Sequence, residues 1–301
     1  MRVKKTRHID AKHQPFIEHL EAIKMSPRTI EMSIYCLGYF DRYLRQKDIT
    51  ENLQVTRQVI LDFLEEIRGK GFKETSVCIF FTQIKKFFDF LEKEQKIFVN
   101  PTNGIMSRVP TRLPVVPDEG DIEKLINACT TETPCGVRDR AFLELLYSTG
   151  MRREEMIRLE LQDIDLKEAT VRVMGKGLKE RILPIGQGAM HWLGEYINNA
   201  RCKLCSSGDE KGLWVTRGVR RVLYNWIPFI LRKYAKLSGI TTKITCHDFR
   251  RAFATHMLRN GAGVVDVQQL LGHSDLSHLR HYLRLTIVDL KKMHTESRLG
   301  K

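Results

Sequence analysis

The sequence lacks any run of about 18 apolar residues, so we expect no transmembrane helix. Its basic N-terminus, residues 1–7, lacks the apolar core of a secretory signal, and we therefore expect a cytoplasmic protein. Internal repeats and low-complexity tracts are also missing. With 42% hydrophobic and 29% charged residues, the composition is that of a folded, soluble protein rather than a disordered one.

The sequence also lacks a plausible zinc motif. Its seven cysteines are scattered, and Cys202–Cys205 is the only CxxC spacing. A tetrahedral zinc site needs two further ligands, but no second CxxC and no HxxxH spacing is present. We therefore expect free thiols and no bound metal.

Acidic residues are fewer than basic ones, 36 against 50, giving a net charge of +14. The surplus is spread along the chain: residues 1–110 contain 19 basic and 14 acidic residues, and the remainder contains 31 and 22. Excess positive charge in both parts is expected if both contact a polyanion such as nucleic acid. A basic soluble protein without such a partner remains the alternative.

A break in composition divides the chain. Four of the nine prolines lie within residues 100–117, and this density favours extended backbone over helix. Since 301 residues suffice for two domains, we predict an N-terminal domain at 1–104, a linker at 105–117 and a C-terminal domain at 118–301.

Helical patterns dominate both parts. Ser26 and Pro27 are typical of a helix start, and apolar stripes follow at 30–44, 59–67 and 75–91, which predicts a compact four-helix unit. The aromatic stripe of the last segment is interpreted as core rather than as a base-stacking surface. Beyond the linker, 122–128 and 141–147 are helical by period. Residues 169–185 predict a β-hairpin, and helices dominate from about 190.

Several residues could act on a phosphodiester. Arg152 follows Thr149-Gly150 in a predicted helix that places it on one face with Glu155 and Leu159. An arginine in a first helical turn can bind phosphate together with backbone N–H groups. A surface ion pair with Glu155 is the equally acceptable alternative.

A second pattern is His247-x-x-Arg250, at the start of a helix that Thr245 and Asp248 would cap. The spacing places both side chains on one helical face. Arginine binds two phosphate oxygens at once, and histidine exchanges a proton near neutral pH. The pattern alone is weakly specific. His256, near the apolar stripe of this helix, is interpreted as a core histidine.

Three more candidates are weak singly. Gly272 is expected to end a helix starting near Val264, which places His273 at a helix–loop junction. Tyr282 lies on the next predicted helix, and an interfacial aromatic is the alternative. Lys176 lies between two glycines at the hairpin tip, where most lysines are merely solvated.

Together these motifs resemble the tyrosine recombinase (phage integrase) family, particularly its Xer-type members. The resemblance covers residues 118–285 through Thr149–Arg152, Gly175-Lys176-Gly177, His247–Arg250 followed by 252–256, Leu270–Ser277, and Tyr282. It departs from the family at 278–281 and in its basic tail, which leaves the subgroup open between a chromosome-dimer resolvase and a phage- or transposon-borne integrase.

The resemblance implies a mainly α fold with a small β-sheet: a helical, SAM-like core-binding domain followed by an α+β catalytic domain. It implies a site-specific recombinase that cleaves and rejoins DNA through a 3′-phosphotyrosyl intermediate and a Holliday junction. Tyr282 would be the nucleophile and His247 the base. Arg152 and Arg250 would hold the phosphate, His273 would stabilise the transition state, and Lys176 would protonate the leaving 5′-oxygen.

No cofactor and no metal are expected for this chemistry. The expected partner is double-stranded DNA at a specific site, bound by a homotetramer, with or without a second recombinase. A C-terminal helix at 288–293 would dock on a neighbouring subunit. A type IB topoisomerase-like relaxase and a non-catalytic DNA-binding protein on this scaffold remain alternatives.

Overall fold

The computed structural model describes residues 10–106, 115–175, 180–205, 210–217 and 220–272. The chain divides into two compact units, Met1–Arg112 and Leu113–Lys301, each with its own hydrophobic core. Helices predominate and strands are few, which confirms the predicted mainly α architecture with a small β-sheet. None of the described helices combines the length and the apolar character needed to span a membrane.

The described part of the N-terminal unit consists of helices and their connections, without a strand. Ser26 Oγ accepts a hydrogen bond from Thr29 N at 3.2 Å and Pro27 follows directly, so the predicted helix start is confirmed. Short 3₁₀ turns at Ala11–His13 and Asn52–Gln54 precede two of the helices. The four helices are α1 (Gln14–Ala22), α2 (Pro27–Gln46), α3 (Arg57–Gly69) and α4 (Glu74–Lys93).

Aromatic side chains fill the core of this unit. Phe80, Phe87 and Phe88 of α4 are buried, and Phe63 of α3 meets Phe80 edge-on at 6.1 Å between ring centroids. Such edge-to-face packing is the favoured geometry for aromatic rings. The α4 stripe is therefore core, as predicted.

One charged cluster is also buried in this unit. His13 Nε2 lies 2.8 Å from Asp41 Oδ2, and Lys12 Nζ lies 2.7 Å from Asp41 Oδ1. Burial opposes ionisation of Asp41, but the hydrogen bonds and charges of His13 and Lys12 outweigh it and hold the pKa of Asp41 below its usual value. The carboxylate thus stays charged inside the helical core.

The C-terminal unit contains the remaining described helices. A 3₁₀ turn at Leu161–Asp163 precedes the sheet, and a π-helical turn at Tyr196–Ala200 connects two helices. The helices are α5 (Glu119–Asn127), α6 (Pro134–Thr149), α7 (Arg153–Arg158), α8 (Gln187–Glu195), α9 (Arg201–Leu204), α10 (Trp226–Leu237), α11 (Cys246–Arg259) and α12 (Val264–Leu271).

Helix α6 is longer than its apolar period predicted. Thr133 caps it, accepting from Gly136 N at 3.1 Å, and Pro134 takes the first helical position. The period missed residues 134–140 because Arg138 and Asp139 are buried as an ion pair of 2.7 Å. Tyr234 of α10 donates to Asp139 at 2.8 Å and so ties α10 to α6.

A three-stranded antiparallel sheet contains the predicted hairpin. Strand β1 (Ile164–Asp165) pairs with β2 (Thr170–Met174), which pairs with β3 (Glu180–Pro184). Val171 and Val173 are buried while Arg172 and Met174 are exposed, as alternation requires. The predicted hairpin is confirmed. Strand β1 and the two-residue pair β4 (Val215–Thr216) and β5 (Arg220–Arg221) are too short to show a sequence period.

Candidate active site

Arg152 lies directly before α7, at its N-cap position. The prediction that it lies inside the helix is wrong, because Gly150 ends α6 in the left-handed region at φ 57° and Arg152 is extended at ψ 148°. Leu159, expected on the same face, lies just beyond the end of α7. Arg152 therefore projects from a connection between two helices rather than from a helical face.

Glu155 fixes this connection. Its Oε2 accepts from Arg152 N at 2.8 Å and its Oε1 accepts from Arg152 Nη1 at 3.0 Å, so the ion pair considered as an alternative is present. The carboxylate is buried, and it also accepts from Arg181 at 2.7 and 3.1 Å. Burial opposes ionisation of Glu155, but hydrogen bonds from Arg181 and Arg152 outweigh it and hold its pKa below the usual value.

Helix α11 carries the second pair of candidates. Thr245 N donates to Asp248 Oδ2 at 2.8 Å, which confirms the predicted cap. His247, in the first turn, is exposed, whereas Arg250 is buried. Arg250 Nη1 donates to Gly150 O at 2.7 Å, and this contact joins the two arginine motifs.

Helix α12 ends at Leu271, with Gly272 left-handed at φ 62°, as the sequence predicted. Carbonyl groups at a helix end lack helical partners and carry partial negative charge, so they attract cations. Three successive carbonyl groups here each accept from a guanidinium group: Leu270 from Arg181 Nε at 3.2 Å, Leu271 from Arg250 Nη2 at 2.6 Å, and Gly272 from Arg152 Nη2 at 3.2 Å.

The structure thus brings Arg152 and Arg250 together at Leu271 and Gly272, the two residues that precede position 273. Lys176, His273, Tyr282 and the C-terminal segment 288–293 lie outside the described residues. The described neighbours are Gly175 and Glu180 in the hairpin and Gly272 at the end of α12.

The environment of His247 favours its neutral form. Although part of the side chain is exposed, partial desolvation of the imidazole ring lowers the pKa of His247 below the usual value. The positive charges of Arg251, Arg250 and Arg153 lower it further, against the opposing effect of Asp248. A neutral imidazole can accept a proton at neutral pH. His247 therefore has the protonation state that a general base requires.

His256, by contrast, is a core residue, as predicted. It is buried on α11, and its Nδ1 lies 2.8 Å from the hydroxyl oxygen of Tyr147. Burial also lowers the pKa of His256. We assign it no part in the chemistry.

Sequence reasoning missed Arg181, which contacts both Glu155 and the end of α12. It lies on β3 opposite Val173, two residues before the buried Leu183, so its side chain lies on the inward face of the sheet. An arginine in a short strand ordinarily indicates an outward position. Only the alternation with Leu183 could have signalled otherwise.

Chemically, the described part of the site is a cationic surface beside a neutral imidazole. Guanidinium groups bind phosphate oxygens in a fixed, often bidentate geometry. Among residues 10–106, 115–175, 180–205, 210–217 and 220–272, no group of three or more His, Cys, Asp or Glu side chains is arranged to hold a metal ion. The described groups suit an anionic ligand.

Comparison with known protein families accounts for both units. Residues 117–287 match the phage integrase family, and residues 14–95 match the phage integrase N-terminal SAM-like domain. The helical N-terminal unit is thus SAM-like, as the resemblance implied.

Individual relatives agree. The chain is 33% identical over 261 residues to tyrosine recombinase XerD of Pseudomonas putida, covering 86% of this chain and 87% of that protein. It is 34% identical over 275 residues to tyrosine recombinase XerD of Listeria innocua, covering 90% and 93%. In fold it is similar to the XerH site-specific recombinase bound to palindromic difH substrate, with TM-score 0.77, 18% identity and coverage of 93% and 84%.

Proposed function

Since the chain belongs to the phage integrase family and is a tyrosine-based site-specific DNA recombinase, we propose that Tyr282 is its nucleophile. The phenol oxygen attacks the scissile phosphorus as the bond to the 5′-oxygen breaks, which gives a 3′-phosphotyrosyl bond and a 5′-hydroxyl. The reverse attack by a 5′-hydroxyl of a partner duplex completes strand exchange through a Holliday junction.

Protons and charge are handled by the other site residues. A free phenol has a pKa of about 10, so Tyr282 must lose its proton during the attack, and we assign that proton to His247. Lys176 supplies a proton to the departing 5′-oxygen. Arg152 and Arg250 bind the non-bridging oxygens where negative charge accumulates, and His273 assists them.

One observation carries this proposal. Arg152 and Arg250, from separate motifs, donate to the adjacent carbonyl groups of Gly272 and Leu271. Both guanidinium groups therefore lie at the point where the chain continues into His273 and, nine residues later, Tyr282. This gathering of cations supports the proposal, because phosphotyrosyl chemistry needs positive charge at the phosphate.

We further propose the biological setting. The domains are 1–104 and 118–301, joined by a linker at 105–117, and the protein acts in the cytoplasm, where its DNA substrate lies. A homotetramer, with or without a second recombinase, would hold two copies of a specific DNA site. Segment 288–293 would dock on the neighbouring subunit, and removal of residues 286–301 would then impair both assembly and recombination.

The test uses DNA that the protein itself selects from a random-sequence pool, hereafter the selected site. On a nicked duplex carrying this site, the wild-type protein should form a covalent adduct that survives denaturing electrophoresis. Tyr282→Phe should bind the duplex equally well and form no adduct. Tyr224→Phe is the matched control and should react like wild type, because Tyr224 uses its ring face to contact Arg153. An undiminished adduct with Tyr282→Phe would refute the assignment.

A second assay tests strand exchange. Between two intact duplexes that carry the site, a recombinase exchanges strands to give reciprocal recombinants, whereas a relaxase rejoins each cleaved strand to its own duplex. We expect the recombinant product, in keeping with the recombinase relatives.

A further inference from the structure

We propose that Arg181 is a positioning residue for strand cleavage, which keeps the charge of Arg152 available to the scissile phosphate and fixes the end of α12. This inference rests on the proposed function, because it concerns the site at which Arg152 would bind phosphate.

Arg181 and Arg152 share the carboxylate of Glu155. Arg181 Nη1 donates to Glu155 Oε1 at 3.1 Å and Arg181 Nη2 donates to Glu155 Oε2 at 2.7 Å, a bidentate pair. Each oxygen also accepts one hydrogen bond from Arg152, from Nη1 and from the backbone N–H. Glu155 thus lies between two guanidinium groups.

The three side chains of this cluster differ in their exposure to solvent. Side-chain exposure is 6% for Glu155, 15% for Arg181 and 37% for Arg152. Solvent screens the inner pair least, so Arg181 is the stronger partner of the carboxylate. Arg152 is the outer member, and it remains accessible to a ligand.

The net charge of this cluster depends on Arg181. Two arginines and one glutamate give the cluster a net charge of +1. Without Arg181 the cluster would be neutral, and Arg152 would be the sole cationic partner of the buried carboxylate. The attraction for a phosphate would then fall, because Glu155 would compete for the guanidinium group that the phosphate needs.

Arg181 also contacts the end of α12. Arg181 Nε donates to Leu270 O at 3.2 Å, and a Cβ atom at position 272 would lie 3.2 Å from the guanidinium carbon of Arg181. Arg181 therefore packs closely against Gly272. It joins β3, the strand that follows Lys176, to the backbone from which His273 continues.

The location of Arg181 also argues against a passive role. On the inward face of β3, a methionine would cover the same apolar surface without the cost of burying a charge. The charge is held there by three hydrogen bonds to Glu155 and Leu270.

The experiment compares Arg181→Met with Arg172→Met on the nicked selected site, at saturating protein and in a single turnover. Arg172 is the matched control, because it lies on the neighbouring strand β2 with 46% of its side chain exposed and pairs with Asp163 and Glu180 instead. We expect Arg181→Met to slow adduct formation by about 100-fold, comparable to losing one donor to a transition state. Arg172→Met should stay within about twofold of wild type.

A second variant separates positioning from support of the fold. Glu155→Gln in the Arg181→Met background restores the net charge of +1, and its amide oxygen still accepts from Arg152. We expect the double variant to cleave about tenfold faster than Arg181→Met alone. If Arg181 only stabilised the fold, the second substitution would leave cleavage unchanged or slow it further. If Arg181→Met does not fold, Arg181→Gln takes its place with the same expected outcomes.

The results also distinguish this inference from the proposed function. A wild-type protein that forms no adduct on its selected site would contradict the function itself. An active wild type with equal rates for Arg181→Met and Arg172→Met would overturn only the inference about Arg181, as would a double variant without recovery.

Discussion

Gly150 joins both arginine motifs, so we expect Gly150→Ala to lower both the stability and the activity of the protein. Gly150 caps α6 in the left-handed region at φ 57°, and its carbonyl accepts from Arg250 at 2.7 Å. A Cβ atom added there would lie 2.5 Å from Phe253 Cδ1 and 3.2 Å from Leu271 Cδ2. Phe253 and Leu271 are both buried, so neither side chain can move aside freely.

Two costs add up in this variant. A residue with a Cβ atom in the left-handed region costs about 1 kcal/mol, and inserting a methyl group into a packed core costs about 1–3 kcal/mol. We expect a total loss of about 2–4 kcal/mol in the free energy of unfolding. Gly239→Ala is the matched control: its φ is 73°, and a Cβ atom there would meet no atom within 4 Å. It should lose only the conformational part, about 1 kcal/mol.

Urea unfolding monitored by tryptophan fluorescence measures this difference. All three tryptophans, Trp192, Trp214 and Trp226, lie in the C-terminal unit, so the signal reports the unit that contains both glycines. Gly150→Ala should also slow adduct formation, because the carbonyl that holds Arg250 shifts. Equal losses of stability in Gly150→Ala and Gly239→Ala would refute the packing argument.

Three further predictions concern charged groups. Replacing Arg251 by glutamine removes a positive charge that lowers the pKa of His247. We expect the wild-type cleavage rate to rise with pH below about 6.5, and this rise should move to higher pH in the variant. An unmoved profile would contradict the assignment of His247 as the base. Asp41→Ala should destabilise the N-terminal unit by about 3–5 kcal/mol, measured by hydrogen exchange at pH 7. Because the pKa of Asp41 is lowered, this difference should persist above about pH 4 and vanish at lower pH. Arg250→Ala leaves two carbonyl groups without this donor and should cost about 2–4 kcal/mol, whereas Arg152→Ala should cost less than about 1 kcal/mol; equal losses in urea unfolding would contradict the different burial of the two arginines.

Local signals in the sequence predicted much of the fold. The caps at Ser26 and Thr245, the glycine at 272 and the alternation around 175–177 depend on residues close together in sequence, so a single chain reveals them. The apolar stripe of α4 correctly predicted a buried helical face, since the residues that form it are buried.

Interactions between distant segments set the limit on what could be predicted from the sequence. Arg152 and Glu155 have the same spacing whether both lie in a helix or the first precedes it, so the pattern could not place the helix start. Burial of Arg250 beside an exposed His247 depends on carbonyl groups of two other segments, and backbone acceptors leave no trace in a side-chain pattern. Arg181 was missed for the same reason, since its partners are a glutamate in another motif and a carbonyl at a helix end.

The two arginines that we propose bind phosphate differ in how firmly the protein holds them. Arg250 is buried, and its hydrogen bonds to Gly150 and Leu271 are short, at 2.7 and 2.6 Å. Arg152 is partly exposed, and its bond to Gly272 is longer, at 3.2 Å. A phosphate oxygen carries more negative charge than a carbonyl oxygen. It therefore displaces a carbonyl group more easily from Arg152, whose hydrogen bond is longer and more exposed to solvent. In the proposed mechanism Arg250 would therefore be the fixed part of the site, whereas the Arg152 side chain would turn from the end of α12 to the DNA phosphate.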